Sequence, residues 1–202
     1  MASIYELKPA FQGLLRPMTR RLAAAGMTAN AVTLLAALLS LAAGIAIAWT
    51  RGALGTLLLL PAVLFARMAL NAVDGMLARE HGQKSRLGAL LNELGDVVSD
   101  AALYLPLALV PGFSPPLVAV IVVLAALSEL TGVLAQTIGA SRRYDGPMGK
   151  SDRAFVFGLV ALLLALGVPP GTWLDVAQGA VLALLLATVW NRCARALREA
   201  GA

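Results

Sequence analysis

The chain has 202 residues, of which 59% are apolar and 13% are charged, and its mean hydropathy is +0.82. Soluble domains usually carry about 25% charged residues, so this chain has too little polar surface to cover a soluble globule of its size. The apolar residues form long runs of Leu, Ala and Val that do not alternate with polar ones, which argues against a transmembrane barrel. Composition therefore excludes a soluble enzyme and a disordered chain, and it predicts an all-α integral membrane protein.

Six apolar segments follow one another along the chain, and we predict one transmembrane helix in each. The predicted spans are 27–50, 53–78, 88 to the turn at 111–112, 117–138, 152–168 and 174–194. Residues 1–26 place apolar side chains at helical spacing between basic ones, which predicts an amphipathic helix on the membrane surface. The alternative for this segment is a solvated tail. The apolar residues in question are Ile4, Leu7, Phe11, Leu14, Leu15 and Met18. No internal repeat or linker divides the chain, so residues 1–202 are taken as a single domain.

The basic residues are distributed very unevenly between the two sides of this predicted bundle. Six spans put both termini on one side, and that side holds fourteen of the 16 Lys and Arg residues. The other side holds only Arg51, and Arg67 lies within a span. The bias predicts that both termini are cytoplasmic, in a plasma membrane or bacterial inner membrane. It also accounts for the net charge of +5 without a nucleic acid partner.

Away from their ends, the predicted spans contain six charged residues, each of which costs several kcal/mol unless it is paired or hydrated. They are Arg67, Asp74, Glu93, Asp96, Asp100 and Glu129. Helical spacing places residues 67, 71 and 74 on one face of the second span, and 92, 96 and 100 on one face of the third. The short loop between these spans makes them antiparallel. Counting inward at about 1.5 Å per residue puts Asn71 and Asp74 level with Asn92 and Asp96, and Arg67 level with Asp100.

Two interpretations follow from these depths. Asp74, Asp96, Asn71 and Asn92 form a cluster of oxygen ligands, which suits a hard divalent cation. A hydrogen-bonded polar seam between helices or a proton path is the alternative. Deeper in the membrane, Arg67 is expected to pair with Asp100, with Glu129 or with both, and a buried ion pair without a chemical role is one interpretation of that group.

The spacing of the polar residues from Asn71 to Asp96 matches a known motif. It resembles the CDP-alcohol phosphotransferase signature, D-x2-D-G-x2-A-R-x8-G-x3-D-x3-D, at every interval. The positions that carry this resemblance are Asn71, Asp74, Gly75, Ala78, Arg79, Gly88, Asn92 and Asp96. Two of these eight depart from the motif, because Asn71 and Asn92 stand where the family has aspartate.

The resemblance implies an activity and a set of roles. A member of this family transfers a phosphatidyl group from CDP-diacylglycerol to a small alcohol and releases CMP, in phospholipid biosynthesis, with Mg²⁺ or Mn²⁺ and as a homodimer. Asp74 would then be a metal ligand, and Asp96 a ligand or the base that deprotonates the alcohol. Asn71 and Asn92 could ligate through their amide oxygens, with one or two ions bound.

The remaining motif residues are assigned to the nucleotide and its phosphates. Asp74, Gly75, Ala78, Arg79 and Gly88 would bind the CDP moiety, although helix packing alone also explains glycines in membrane helices. A CDP-choline-like donor would use the same residues. A catalytically weakened or inactive lipid-binding subunit and a small transporter are the alternatives to an enzyme.

The segment 141–153 combines four basic residues with glycines at a predicted helix start, a pattern typical of an anion site. Relatives in the family place basic residues here for donor or acceptor phosphate. Lys150 and Arg153 are the favoured phosphate ligands. Arg142 and Arg143 are further candidates, with contact to lipid headgroups as an equal alternative for both.

Overall fold

The structure is a computed structural model that describes residues 4–201, and all its regular elements are helical across that range. Residues 1–3 and the side chains of residues 4–9 lie outside the described part of the chain. The predicted membrane contacts of Ile4 and Leu7 therefore also lie outside it. The helices are α1 (Ile4–Ala24), α2 (Ala29–Thr50), α3 (Leu54–Leu57), α4 (Leu59–Glu80), α5 (Arg86–Tyr104), α6 (Pro115–Leu134), α7 (Lys150–Ala165) and α8 (Thr172–Glu199). Two 3₁₀ segments, Leu105–Leu109 and Ala135–Ile138, continue α5 and α6 respectively.

Each predicted span coincides with a helical segment, and local chemistry accounts for where several of them begin. Thr28 caps α2, its side chain accepting a 3.1 Å hydrogen bond from the Ala31 N–H. Ser85 caps α5 in the same way through Gly88 N–H, at 2.9 Å. Such caps satisfy N–H groups that the first helical turn leaves without partners.

Four helical segments are long and apolar enough to cross a membrane, namely α2, the continuous run from Leu54 to Glu80, the run Pro115–Ile138, and α8. The helices of the other two predicted spans, α5 and α7, are not among these four, for separate reasons. Helix α5 carries three acidic residues, and α7 has only 16 residues, about 24 Å at 1.5 Å per residue against a hydrocarbon core of ~30 Å. The structure thus supports four spans, and the six-span arrangement stays a prediction.

Helix α2 packs against both α4 and α5 and is the element that sets their separation. A glycine allows the contact with α5 to be close, because Gly44 of α2 lies directly against the Ala102 carbonyl, where a Cβ would overlap it. Pro106, four residues after Ala102, has no N–H to donate to that carbonyl. Helices α4 and α5 approach each other mainly through polar side chains. The result is a polar cleft between them, walled on one side by α2.

The other helices complete the bundle around an apolar core. Helix α7 packs on α4, α6 packs on α5, and α8 packs on α6. The core includes a stacked pair, Tyr104 and Phe157, with ring centroids 4.4 Å apart. Helix α1 lies against α4, where Phe11 meets Phe65 edge to face at 6.2 Å. The structure therefore confirms a helix before the first span, and its placement on the membrane surface stays a prediction.

Candidate functional site

Two carboxylates face the cleft between α4 and α5. Asp74 of α4 is buried, and its Oδ2 accepts a 2.8 Å hydrogen bond from Thr33 Oγ1 of α2. Asp96 of α5 is more open, with 18% of its side chain exposed. Asn71, three residues before Asp74 on α4, donates to Asp96 at 3.4 Å, which places the two carboxylates about one helical turn apart on neighbouring helices. The helical spacing of the sequence thus does bring these two residues to one site.

The carboxylate of Asp96 is held in a defined orientation by three neighbours. Its Oδ1 accepts from Arg67 Nη2 at 3.3 Å, from Asn71 Nδ2 at 3.4 Å and from the Lys150 ammonium. Arg67 Nη2 also donates to the Asp96 backbone carbonyl at 3.0 Å. Within the described residues, Oδ2 has no hydrogen-bond donor. One carboxylate oxygen is therefore fixed by the protein, and the other remains available to a ligand.

The two motif glycines leave room for polar side chains at the end of the cleft nearest the loop between α4 and α5. The guanidinium of Arg79 folds back over Gly75, so that a Cβ at Gly75 would lie 2.9 Å from Arg79 Nη2. A Cβ at Gly88 would lie 2.7 Å from Asn30 Oδ1 of α2. Arg79 is exposed and Ala78 beside it is half-buried. The arginine can therefore move toward an anion that enters the cleft.

The two asparagines of the motif differ in their exposure to solvent. Asn71 is half-buried, and because its amide nitrogen donates to Asp96, its amide oxygen is left to accept or ligate. Asn92 is exposed, one helical turn before Asp96 on the same face of α5. Asn71 thus contacts the carboxylate of Asp96, whereas Asn92 is placed near it by helical spacing alone.

A buried ion-pair network lies below the cleft. Asp100 accepts from Arg67 Nη1 at 2.5 Å and from Arg153 Nε and Nη2 at 3.0 and 2.8 Å. Arg153 also donates to Glu129 Oε1 at 2.9 Å. Of the two partners considered for Arg67, the structure shows Asp100, whereas Glu129 pairs with other arginines.

The sequence favours Arg153 as a phosphate ligand, but the structure places it in this network instead. Its side chain is fully buried, and its three nitrogens donate to Asp100, Glu129, Ser128 and the Met148 carbonyl. A guanidinium with these partners would have to break buried ion pairs to reach a phosphate. We therefore assign Arg153 a structural part in holding α5, α6 and α7 together.

Arg142 and Arg143 are also engaged by acidic partners. Arg142 donates to Glu93 at 2.6 Å, lies 3.6 Å from Glu129 and stacks over the Tyr144 ring at 4.1 Å. Arg143 pairs with Asp145 at 2.7 Å and with Glu199 near the end of α8. These pairs tie the loop before α7 to α5 and α8.

The acidic anchor of that loop lies outside the spans and has a perturbed pKa. Partial burial raises the pKa of Asp145, but Arg143 and Arg195 outweigh it and hold the pKa below the usual range. Asp145 thus stays ionised at neutral pH and retains both arginines, which keeps the start of α7, and Lys150 with it, in place.

Three polar residues at the site do not follow from motif spacing. Thr33 contacts Asp74, and Gln83 accepts from the Ala29 N–H at 2.6 Å at the start of α2. Arg192 of α8 is buried, contacts Glu129 at 3.4 Å and donates to the Asp145 carbonyl at 3.1 Å. One signal for Arg192 is present in the sequence, because it continues the face of α8 that is buried at regular three- and four-residue steps. That face consists of Leu174, Gln178, Val181, Leu185, Thr188, Arg192 and Ala196.

A cavity of about 480 Å³ opens beside the cleft, between α4 and α7. Its polar end is formed by Arg67, Asn71 and Lys150, next to Asp96. The rest of its lining is largely apolar and includes Leu64, Phe65, Met68, Phe155, Leu159 and Leu162. The cavity therefore suits a molecule with a polar head and an apolar tail.

Comparison with known proteins establishes the family of the chain. The family model for CDP-alcohol phosphatidyltransferase matches residues 26–190. The chain belongs to the CDP-alcohol phosphatidyltransferase family. The inner membrane protein YnbA of Escherichia coli K12 is 48% identical over 191 residues, which cover 95% of this chain and 94% of that protein.

Solved structures of Mycobacterium tuberculosis phosphatidylinositol phosphate synthase (PgsA1) share the fold of this family member. The structure in complex with manganese and citrate has a TM-score of 0.75 at 22% identity and covers 89% of this chain and 87% of its own. The structure with CDP-DAG bound has a TM-score of 0.71 at 22% identity, with 91% and 92% covered. At these identities the likeness establishes the arrangement of the helices.

The family implies a divalent cation, and the oxygen ligands of the cleft are chemically suited to one. No group of three or more Asp, Glu, His or Cys side chains in the described part of the chain is arranged to hold a metal. Mg²⁺, however, is commonly bound by one or two carboxylates together with substrate phosphates. Asp74 and Asp96, with the amide oxygens of Asn71 and Asn92, meet that requirement for a single ion.

Proposed function

We propose that this protein transfers a phosphatidyl group from CDP-diacylglycerol to a small alcohol and releases CMP. The observation that carries the proposal is the junction of the polar cleft with the cavity between α4 and α7. Asp96 lies where the two meet, through its contacts with Arg67, Asn71 and Lys150. A lipid donor bound there would place acyl chains in the apolar cavity and its diphosphate at the carboxylates.

The reaction is a substitution at phosphorus, and the roles of the residues follow from their positions. The alcohol oxygen attacks the phosphorus nearest the lipid, the bond from that phosphorus to the CMP oxygen breaks, and CMP leaves. Asp96 accepts the hydroxyl proton on Oδ2, through the lone pair that a cation bound to the same oxygen would leave free, because Oδ1 is already occupied by protein donors. A base fixed in this way accelerates the reaction because it is already oriented toward the alcohol and because it accepts the proton.

Other residues bind the donor and balance its charge. Arg79, free to move over Gly75, is placed to donate to the diphosphate in bidentate fashion. Asp74 and Asp96, with the amide oxygens of Asn71 and Asn92, would hold a Mg²⁺ or Mn²⁺ ion, which would stabilise the charge of the diphosphate. Gly88 and Ala78 keep the cytoplasmic end of the cleft open to the nucleotide.

Lys150 remains the candidate for contact with a phosphate of the donor or acceptor. Of the four basic residues in the segment 141–153, only Lys150 reaches the cleft, with 30% of its side chain exposed.

One observation favours a second candidate, a catalytically weakened or inactive lipid-binding subunit of a lipid-synthesis complex. Asn71 and Asn92 remove two negative charges from the family motif, and Lys150 adds a positive charge beside Asp96. The same cavity would still bind a lipid. Activity measurements separate this candidate from the enzyme.

The test is release of CMP by the purified protein with CDP-diacylglycerol, Mg²⁺ or Mn²⁺, and a panel of alcohols such as glycerol phosphate, inositol phosphate and serine. We expect one alcohol to stimulate CMP release and to appear as the headgroup of a new phospholipid in mass spectra. If no alcohol does so, and Asn71→Asp with Asn92→Asp restores release, the binding-subunit proposal is correct instead.

We further propose that the protein lies in the inner membrane with both termini in the cytoplasm, and that it forms a homodimer. The relative YnbA is named as an inner membrane protein, and the charge bias of the loops supports this orientation. Dimerisation is an implication of the family resemblance, and crosslinking in membranes tests it.

The orientation can be measured with engineered cysteines. The native Cys193 is exposed, so it is first replaced by Ser. A cysteine at Pro170, between α7 and α8, should react with a membrane-impermeant maleimide added to intact cells. A cysteine at Lys84, between α4 and α5, should react only after the cells are opened. Labelling in the opposite order contradicts the proposed topology.

A further inference from the structure

The acidic residues around the cleft provide only two carboxylates for a cation. Asp100 is the next acid along α5, but its two oxygens accept from Arg67 and Arg153. Glu93, beside the motif, is held by Arg142 at 2.6 Å. The anionic ligands that remain are Asp74 and Asp96.

A protein cation already lies at this pair. The ammonium of Lys150 contacts Asp96 Oδ1. Its position is set by the start of α7, where the Gly149 N–H donates to Asp152 Oδ2 at 2.9 Å. Just before it, the Met148 N–H donates to Thr188 Oγ1 of α8 at 2.9 Å. Lys150 is therefore held at the cleft by its backbone and not merely by attraction to Asp96.

We infer that Lys150 takes the place of a second cation, so that this cleft binds a single divalent ion. The inference rests on the proposed function, whose cation requirement it makes specific. Two divalent ions would bring four positive charges to two carboxylates that already face Lys150 and Arg67. Because Lys150 and Arg67 already balance the two carboxylates, one ion on Asp74 and the free Oδ2 of Asp96 leaves an excess charge of +2, which the diphosphate of the donor can offset, whereas two ions would leave +4. The asparagines at 71 and 92 and the lysine at 150 thus leave too little negative charge at the cleft for a second ion.

Equilibrium binding of Mn²⁺ to the purified protein in detergent micelles tests this inference, with free Mn²⁺ measured by electron paramagnetic resonance. Neither donor nor alcohol is present. The double variant Asp74→Asn with Asp96→Asn gives the background from other sites. We expect one ion per chain above that background. Two ions per chain, or none, would overturn the inference.

Variants of Lys150 give the second readout. Lys150→Gln removes a positive charge next to the ligands, and we expect Mn²⁺ to bind about tenfold more tightly at unchanged stoichiometry. Lys84→Gln, an exposed lysine on the same predicted side, should change nothing. Lys150→Gln with Asn71→Asp and Asn92→Asp should bind two ions. Unchanged affinity in the single variant, or one ion in the triple variant, contradicts the inference, provided that gel filtration shows each variant to be folded.

This experiment and the test of the proposed function fail independently. One bound ion without CMP release for any alcohol preserves the inference about Lys150 and removes the enzymatic proposal. CMP release by a protein that binds two ions preserves the enzymatic proposal and removes the inference about Lys150.

Discussion

Replacing Asp96 with Asn should lower the rate of CMP release by about 10³-fold, within the 10²–10⁴-fold typical of a lost general base. The amide is nearly isosteric and can still accept from Arg67 and Lys150, but it cannot take a proton from the alcohol. The measurement is CMP release at saturating CDP-diacylglycerol and alcohol. Retention of more than about a tenth of the rate would show that Asp96 is not the base.

Asp74→Asn is the matched variant, because Asp74 is the other carboxylate of the cleft and is assigned only to cation binding. We expect excess Mn²⁺ to restore part of its activity and none of the activity of Asp96→Asn. Asp175→Asn, an exposed acid at the start of α8, controls for the loss of charge and should behave as the native protein. Equal rescue of both cleft variants by Mn²⁺ would assign Asp96 to cation binding alone.

The contacts between α4 and α5 are the part of the site that spacing along the sequence could predict. The rise of an α-helix is fixed, so a short loop sets which residues of two antiparallel helices lie at the same depth. That is why Arg67 meets Asp100 and Asn71 meets Asp96. The ends of the helices could also be predicted from the sequence, because pairs of proline and glycine and short polar caps end the apolar runs.

Contacts between distant segments could not be predicted in this way. Lys150 and Arg153 are three residues apart, yet Lys150 lies at the open cleft and Arg153 is fully buried. The difference depends on how α7 rotates against α4, which the bonds of Met148 and Arg153 to other helices determine. Thr33 reaches Asp74 only because α2 packs against both α4 and α5.

Asp100→Leu should destabilise the folded protein by about 3–5 kcal/mol, the range for removing one partner of a buried ion pair. The change leaves Arg67 and Arg153 facing each other without the carboxylate between them, in a region from which water is largely excluded. We expect a lower midpoint of thermal unfolding in detergent micelles. Asp175→Leu, with the same change of charge at an exposed position, should leave the midpoint nearly unchanged.

The double variant Arg67→Leu with Asp100→Leu distinguishes charge from packing. Arg153 keeps Glu129 as a partner at 2.9 Å, so the double variant leaves no arginine of this group without an acid. It should therefore be less destabilised than the sum of the two single variants. Additive losses would mean that Asp100 acts through packing alone, and that the network does not hold Arg67 in position to orient Asp96. A smaller loss than the sum, in contrast, would show that Arg67 and Asp100 stabilise the fold as an ion pair. That pair would then hold Arg67 where it donates to Asp96.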